Sequence, residues 1–276
     1  MSWRLGIRHE TVYRYAADVT SSYNEARITP LTTDRQMVVT STVRVDPSVK
    51  TFRYWDYWGT IVDAFDIHTP HRDLLITGES VVETTPPRAF PDATSWDELS
   101  GGAARDEFAE LLAPTSYVPV MVEAARELVA AGSPLDACHA ACEWVGARLR
   151  YEQGATTVSS SAADALAEGR GVCQDFAHLT LGLLRGAGIP ARYVSGYLYP
   201  VDDAGAAEVQ GQSHAWIEAW AGDWVPFDPT SGTTPGEHHV VVARGRDYAD
   251  VAPLKGIYHG GPSEALNVVV ALTRLG

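Results

Sequence analysis

Alternation of apolar and polar residues characterises roughly the first 85 positions of the chain. Positions 39–45 alternate valine or serine with threonine or arginine, which is the period of a half-buried strand. The aromatic and β-branched stretch 51–67 is interrupted at 57–60, which predicts a hairpin, and 73–84 predicts a further strand. Several short strands separated by turns predict a β-sandwich-like N-terminal module over residues 1–88.

A proline-rich segment ends this pattern. Three prolines fall within 85–91, and proline both interrupts strand pairing and stiffens a linker. We therefore predict a linker with a helical segment over 89–118 and a second, larger unit over 119–276. Its apolar stripes predict helices over 119–131, 134–151 and 173–186, and its later alternation predicts strands over 191–199, 213–220, 224–227, 238–243 and 266–275. Helices followed by antiparallel strands indicate an α+β fold.

Charge and composition narrow the classes of function. The chain has 276 residues, with 35 acidic against 21 basic side chains and a net charge of −14, which disfavours nucleic acid and anionic membranes as partners. No apolar run approaches the ~20 residues of a membrane span, and the charged, alternating N-terminus is unlike a signal peptide. With three cysteines, we expect a cytoplasmic protein with reduced thiols and with neither metal nor cofactor.

Cys173 is the candidate nucleophile. Two glycines, Gly169 and Gly171, precede it and leave room for a close backbone approach, and the helix predicted over 173–186 begins at this residue. The first N–H groups and the positive end of the dipole of a helix favour a thiolate, and the same N–H groups are candidates for an oxyanion hole. A small buried core thiol is the alternative.

His214 and Asp228 are the candidate partners of this thiol. The turn residues Ala221-Gly222-Asp223 lie between their two predicted strands. A hairpin centred near Ala221 places His214 directly opposite Asp228, with Cβ atoms about 5 Å apart, which suits a carboxylate that orients an imidazole. Spacing alone does not bring Cys173 to this pair.

Four segments together resemble the core of the transglutaminase-like superfamily: Gly171-Val172-Cys173-Gln174-Asp175-Phe176, 190–197, Ser213-His214-Ala215-Trp216 and Phe227-Asp228-Pro229-Thr230. The segments 22–27, 56–59 and 245–253 are similar to the flanking regions of bacterial members. The resemblance implies a papain-like core over 119–276 with a Cys173–His214–Asp228 triad that acts on amide bonds of a protein or peptide substrate. It also implies an upstream aromatic donor to the oxyanion, for which Tyr151 is the candidate, with Gln174 as the alternative.

Three functions remain open from the sequence. We expect a thiol acyl-transfer enzyme that favours hydrolysis of peptide, isopeptide or glutamine amides over amine crosslinking. A transglutaminase proper or an arylamine acetyltransferase-like enzyme is the second possibility, and a protein-binding scaffold that retains the fold is the third. Cys138, His139 and Cys142 are interpreted as helix packing rather than a metal site, 237–239 as the start of a strand, and the acidic segment 201–208 as a solvated loop.

Overall fold

The computed structural model describes residues 2–130, 132–200 and 208–276, without the side chains of 208–212. The strands are β1 (Trp3–Ala26), β2 (Gln36–Asp46), β3 (Phe52–Trp55), β4 (Ile61–Ile67), β5 (His71–Thr84), β6 (Arg150–Tyr151), β7 (Arg170–Gly171), β8 (Ala191–Leu198), β9 (Glu208–Trp220), β10 (Trp224–Phe227), β11 (His239–Gly245), β12 (Leu254–Gly260) and β13 (Ser263–Arg274). The helices are α1 (Trp96–Ser100), α2 (Gly102–Glu107), α3 (Ala109–Leu112), α4 (Val122–Val129), α5 (Pro134–Gly146), α6 (Ala162–Glu168), α7 (Cys173–Gly186) and α8 (Tyr248–Val251). The acidic segment predicted as a loop lies, except for Glu208, outside the described residues.

The long strand β1 organises the N-terminal sheet. Its first half pairs antiparallel with β5, which in turn pairs with β2, and its second half pairs with β4, which pairs with β3. The predicted strands at 39–45 and 73–84 and the hairpin within 51–67 correspond to β2, β5 and the β3–β4 pair. Alternate side chains of β1, such as Trp3, Leu5 and Ile7, are buried, as a two-residue period requires.

The last two strands of the chain belong to the same sheet. The N-terminal half of β1 pairs antiparallel with β13 and its C-terminal half with β12. The predicted boundaries between the N-terminal module, the linker and the catalytic core stay a prediction. The pairing itself shows that residues from the far end of the chain extend the sheet that begins at Trp3.

Helix α7 is the buried centre of the second part of the chain. It is flanked by α4, α5 and α6 and packs on β8 and β9 of the sheet β11–β8–β9–β10. Leu179, Leu181, Leu183 and Leu184 are fully buried although they point in several directions around the helix axis. The helix predicted over 134–151 ends at Gly146 instead, and Arg150 and Tyr151 form a short parallel pair with Arg170 and Gly171.

Strand β9 joins the two parts of the molecule. Residues 208–211 pair with 270–273 of β13, while 212–219 pair with β8 and 217–220 with β10. The N-terminal sheet is thereby held beside the strands that carry His214. Within the described residues, no helix is both long and apolar enough to cross a membrane.

Candidate active site

Cys173 is the first residue of α7, as the glycine and helix pattern predicted. The Asp175 side chain accepts a hydrogen bond at 2.7 Å from the backbone N–H of Val172, the N-cap residue, and so closes the first turn of the helix. A Cβ atom on Gly171 would lie 2.6 Å from Asp175 Oδ2, so a side chain there would displace the capping carboxylate. The sequence Gly171 to Asp175 therefore sets the helix end on which the thiol sits.

The capping carboxylate is itself buried. The hydroxyl of Thr156 donates to Asp175 Oδ2 at 2.5 Å, and Oδ1 has no hydrogen-bond partner among the described residues. Burial raises the pKa of Asp175, against the opposing effect of the hydrogen bonds from Thr156 and Val172. The turn that presents Cys173 is thus held by a single carboxylate oxygen with two donors.

The structure brings His214 and Asp228 together, with His214 Nε2 2.9 Å from Asp228 Oδ2. The predicted register of the hairpin is wrong. Trp224 pairs with Trp220 and Phe227 with Ile217, so the turn is centred on Gly222 instead of Ala221. Asp228 follows the end of β10 and lies diagonal to His214 rather than directly opposite it, and diagonal neighbours on one face still reach each other through long side chains.

Asp228 is the acceptor at the centre of a hydrogen-bond network. Its Oδ1 accepts the backbone N–H groups of Thr230 at 3.0 Å and of Ser231 at 3.4 Å. Its Oδ2 accepts the Ser231 hydroxyl at 2.8 Å and faces His214 at 2.9 Å and His239 at 3.5 Å. Burial opposes the charge of this carboxylate, but the hydrogen bonds from His214 and His239 outweigh burial and hold the pKa of Asp228 well below its usual range.

His214 is poised to carry a positive charge. Burial by itself lowers the pKa of His214, but interactions with Asp228 and with Cys173 outweigh it and raise the pKa to about 9. The imidazolium form therefore predominates at neutral pH, next to both the carboxylate and the thiol. An imidazolium in this position can stabilise a thiolate and donate a proton to a leaving amine.

His239 is the member of this network that the sequence did not indicate. Its Nδ1 accepts the backbone N–H of Gly236 at 3.3 Å, which assigns the ring proton to Nε2, the nitrogen that faces Asp228. Burial lowers the pKa of His239, so the ring is neutral at neutral pH. The one available signal was the His238-His239 pair at the start of β11, which the sequence analysis interpreted as the beginning of a strand.

The same three side chains form a group that could hold a metal ion. One ligand atom from each of His214, Asp228 and His239 lies within 4.8 Å of the others. A neutral histidine binds a metal through an unprotonated nitrogen, but the Gly236 N–H leaves the proton of His239 on the nitrogen that would face the ion. The protonation pattern therefore favours a hydrogen-bond network over a metal centre.

A cavity of about 320 Å³ opens beside the thiol. Cys173, Gln174 and His214 line it together with Tyr193 of β8. Its remaining walls include residues of the N-terminal sheet, namely His9, Thr11 and Tyr13 of β1, Leu254 of β12, and Leu266 and Val268 of β13. The first helical turn, the histidine and the N-terminal sheet thus enclose one space.

The two candidate oxyanion donors lie near the thiol in different environments. Tyr151 is 43% exposed and pairs with Gly171, two residues before Cys173. Burial and the neighbouring Cys173 raise the pKa of Tyr151. The side-chain amide of Gln174 donates one of its two N–H groups to the Val158 carbonyl at 3.2 Å, so the other N–H and the backbone N–H of Gln174 are left for an oxyanion. The oxyanion roles of Tyr151 and Gln174, like the triad role of the other three residues, stay predictions.

The other two cysteines differ from Cys173 in environment. Cys138 and Cys142 lie on α5, where Cys138 is fully buried. Burial raises the pKa of Cys138, and burial together with the nearby Asp228 raises that of Cys142 to about 12. Both thiols are therefore protonated at neutral pH, whereas Cys173 lies at the cavity.

Comparison with known proteins gives the family. Residues 123–229 match the model of the transglutaminase-like superfamily, and residues 5–83 match that of the bacterial transglutaminase-like N-terminal region. An uncharacterized protein of Mycobacterium leprae is 48% identical over 99% of both chains. An uncharacterized protein of Mycobacterium tuberculosis is 34% identical over 97% of this chain and 91% of its own.

A solved structure shows the same fold. The crystal structure described as "a Putative Cysteine Protease from Cytophaga hutchinsonii" aligns with a TM-score of 0.76 and 22% identity, over all of this chain and 92% of that one. The predicted fold class, a transglutaminase-like, papain-like α+β core after a β-rich N-terminal region, is confirmed. The protein belongs to the transglutaminase-like superfamily, with the bacterial N-terminal region ahead of its core.

Proposed function

We propose that the protein is a thiol-dependent acyl-transfer enzyme that attacks amide bonds of polypeptides through a thioester intermediate. The observation that carries this proposal is the shared cavity in which a thiol at a helix N-terminus meets a histidine that is hydrogen-bonded to a buried carboxylate. Cys173 is the nucleophile, His214 the acid and base, and Asp228 the residue that orients the imidazole.

The reaction follows from these positions. The Cys173 thiolate attacks the amide carbonyl carbon, the C–S bond forms, and the carbonyl oxygen takes up the negative charge. The backbone N–H groups at the start of α7 stabilise that oxyanion, with Tyr151 as the proposed second donor. His214 gives its proton to the leaving nitrogen, the C–N bond breaks, and a thioester on Cys173 remains.

The second half of the reaction consumes the thioester. His214, now neutral, removes a proton from water, and the hydroxide attacks the thioester carbon to release the acid and the thiolate. A primary amine in place of water gives a new amide instead. We propose hydrolysis as the main outcome because water is always available, whereas an amine needs a binding site of its own.

Alkylation of the three cysteines tests the catalytic pair without a known substrate. Iodoacetamide at pH 5–7, followed by peptide mass spectrometry, gives the rate at each cysteine, and Cys138 and Cys142 serve as internal controls because their thiols are protonated. We expect Cys173 to react at least tenfold faster than either control and to lose that advantage in His214→Ala. Equal, slow labelling of all three cysteines would instead favour a non-enzymatic scaffold.

The type of reaction is tested separately. A glutamine-containing peptide is incubated with the protein, with and without an isotope-labelled primary amine, and the products are weighed by mass spectrometry. Deamidation or backbone cleavage in both samples supports a hydrolase, and incorporation of the amine identifies a transglutaminase. Neither product should form with Cys173→Ala. His214→Ala removes the general acid and base and should therefore reduce turnover by a factor of about 10² to 10⁴.

A further inference from the structure

The cavity beside Cys173 is uncharged along most of its wall. Among the described residues that line it, none is Asp, Glu, Lys or Arg. This contrasts with the chain as a whole, in which one residue in five is charged. Away from Cys173 and His214, a substrate group that carries a charge would lose its hydration in this cavity without gaining an ion pair.

One wall of the cavity is a face of the N-terminal sheet. In the β1–β13 ladder, Thr11 is directly opposite Val268 and Tyr13 is directly opposite Leu266. Side chains of directly paired residues point to the same side of a sheet, so these four form one continuous patch. All four line the cavity that contains Cys173, and we call them the β1–β13 face.

The β1–β13 face leaves apolar side chains uncovered. Leu266 is 56% exposed and Val268 is 47% exposed, although both lie beside the thiol cavity. Apolar side chains that are exposed next to a nucleophile are stabilised when a ligand covers them.

The polar group at the base of the face is also uncharged. His9 is buried, with Nδ1 2.9 Å from the Tyr197 hydroxyl and Nε2 3.0 Å from the Thr11 hydroxyl. Burial lowers the pKa of His9 to about 4, so the ring is neutral at physiological pH. Both ring nitrogens are occupied by hydrogen bonds within the protein, so His9 offers a ligand neither a charge nor a free ring nitrogen.

We infer that the β1–β13 face is the specificity surface of the active site and binds a large apolar side chain of the substrate next to the carbonyl group that Cys173 attacks. The inference rests on the proposed function and deepens it, because it names the substrate class and gives the N-terminal sheet a role in recognition. The cavity volume, about 320 Å³, lies at the lower end of ligand pockets and suits one or two residues of a peptide.

Peptidyl chloromethyl ketones test this inference, since they alkylate an active-site thiol after their side chains bind. Two series of N-acetyl dipeptide ketones are compared, in which Phe, Leu, Ala, Asp or Lys occupies either the first or the second position. Burying an apolar side chain contributes about 1.5–3 kcal/mol, so we expect Phe or Leu to inactivate at least tenfold faster than Asp or Lys in one series. Each inactivation rate is divided by the rate at which iodoacetamide alkylates Cys173, because iodoacetamide has no side chain to bind and measures the reactivity of the thiol itself.

Two neighbouring residues of β13 provide a matched pair of variants. Val268 lies on the β1–β13 face, whereas Val269 points to the opposite side of the strand and is 39% exposed. Val268→Asp should reduce the rate with the best apolar ketone at least tenfold more than it reduces the iodoacetamide rate, because the new carboxylate disfavours both the apolar side chain and the nearby thiolate. Val269→Asp should change neither rate. Val268→Ala, which adds no charge, is the second variant in case Val268→Asp does not fold, and it should reduce the ketone rate severalfold.

The outcomes separate the inference from the proposed function. Equal rates for apolar and charged ketones, equal effects of the Val268 and Val269 variants, or no reaction with any ketone would overturn the specificity surface. If iodoacetamide still labels Cys173 in a His214-dependent way under those conditions, the proposed function stands. If iodoacetamide instead labels Cys173 at the same rate in the wild type and in His214→Ala, the proposed function is overturned.

Discussion

His239 donates its Nε2–H toward the same Asp228 oxygen that holds His214, across 3.5 Å. The Gly236 N–H fixes the tautomer of His239, and the ring of Trp216 packs edge-on against it at 5.2 Å. The Asp228 oxygen that faces His214 therefore also faces a second, neutral histidine. Hydrogen bonds to charged groups contribute about 1.5–3 kcal/mol when well formed, and a 3.5 Å contact lies below that range.

Replacing His239 should weaken the network without removing the thiol. We expect His239→Ala to lower the free energy of unfolding by about 1–3 kcal/mol, because the buried ring leaves a cavity beside Trp216 and Asp228 loses a donor. The variant should also slow iodoacetamide labelling of Cys173 at pH 6, because Asp228 moves. His239→Gln retains a side-chain N–H and should recover part of the labelling rate. Urea denaturation and the alkylation assay measure the two effects. A labelling rate in His239→Ala equal to that of the wild type would show that His239 does not position Asp228.

The charge on Asp228 should control the protonation of His214. The pKa of His214 is raised to about 9, and its interactions with Asp228 are the first of those that oppose burial. Asp228→Asn removes the negative charge, which destabilises the imidazolium, so the pKa of His214 should fall toward or below the ordinary value near 6.5. NMR titration of ¹⁵N-labelled histidine follows the change directly.

The raised pKa of His214 also determines how the free energy of unfolding changes with pH. Because the folded-state pKa of His214 is above the unfolded one, its contribution to stability is fully present below about pH 6.5 and is lost as the pH rises toward 9. This loss should be smaller in Asp228→Asn, in which only the interaction with Cys173 still raises the pKa of His214. The matched control is Asp223→Asn, which changes an exposed carboxylate in the turn between β9 and β10. An unchanged His214 titration in Asp228→Asn would refute the assignment of the shift to Asp228.

Gly171 should be intolerant of any side chain. An added Cβ would lie 2.6–2.9 Å from three atoms of the buried Asp175 side chain, which caps α7. We expect Gly171→Ala to cost about 1–3 kcal/mol of stability and to slow the alkylation of Cys173, because the capping carboxylate must move. Gly146→Ala is the control, since an added Cβ there meets nothing within 4 Å and alanine favours a helix. Similar effects of the two substitutions would show that the Gly171 contact is relieved without cost.

Local signals predicted one half of the candidate site well. The glycines before Cys173 and the apolar residues after it placed the start of α7 at the right residue, because capping and helix periodicity act over a few positions. The turn residues near 222 predicted that His214 and Asp228 would meet. The register was off because one residue of the turn shifts every cross-strand pair, and the length of a turn is not determined by its composition.

Non-local pairing accounts for what sequence reasoning missed. The β1–β13 face joins residues about 255 positions apart, and no periodicity within either strand names its partner. The strand predicted over 266–275 was assigned to the catalytic unit without a partner, and β13 pairs with β1 along most of its length. His239 was missed for the same reason, since its approach to Asp228 depends on the pairing of β11 with β8.

Acid should destabilise the protein through histidines that are buried without a charge partner. Burial lowers the pKa of His9 to about 4, and burial together with the nearby Arg185 lowers that of His178 to about 3. The unfolded state, in which histidine titrates near 6.5, then binds more protons than the folded state below that pH. Stability should therefore fall as the pH drops from about 6.5 to 4, and His9 alone accounts for about 3 kcal/mol of the loss.

A histidine-to-glutamine pair isolates this effect from the titration of carboxylates. His9→Gln keeps a donor and an acceptor for the Tyr197 and Thr11 hydroxyls but cannot take up a proton, so its stability should decline less steeply between pH 6.5 and 4 than that of the wild type. His259→Gln, at an exposed position on β12, should decline in parallel with the wild type. Urea unfolding at pH 7, 6, 5 and 4 gives the three curves. Carboxylate protonation is common to all three proteins and therefore cancels in the comparison. Parallel curves for His9→Gln and the wild type would mean that His9 is already solvated. Water would then reach the part of the cavity wall next to the β1–β13 face.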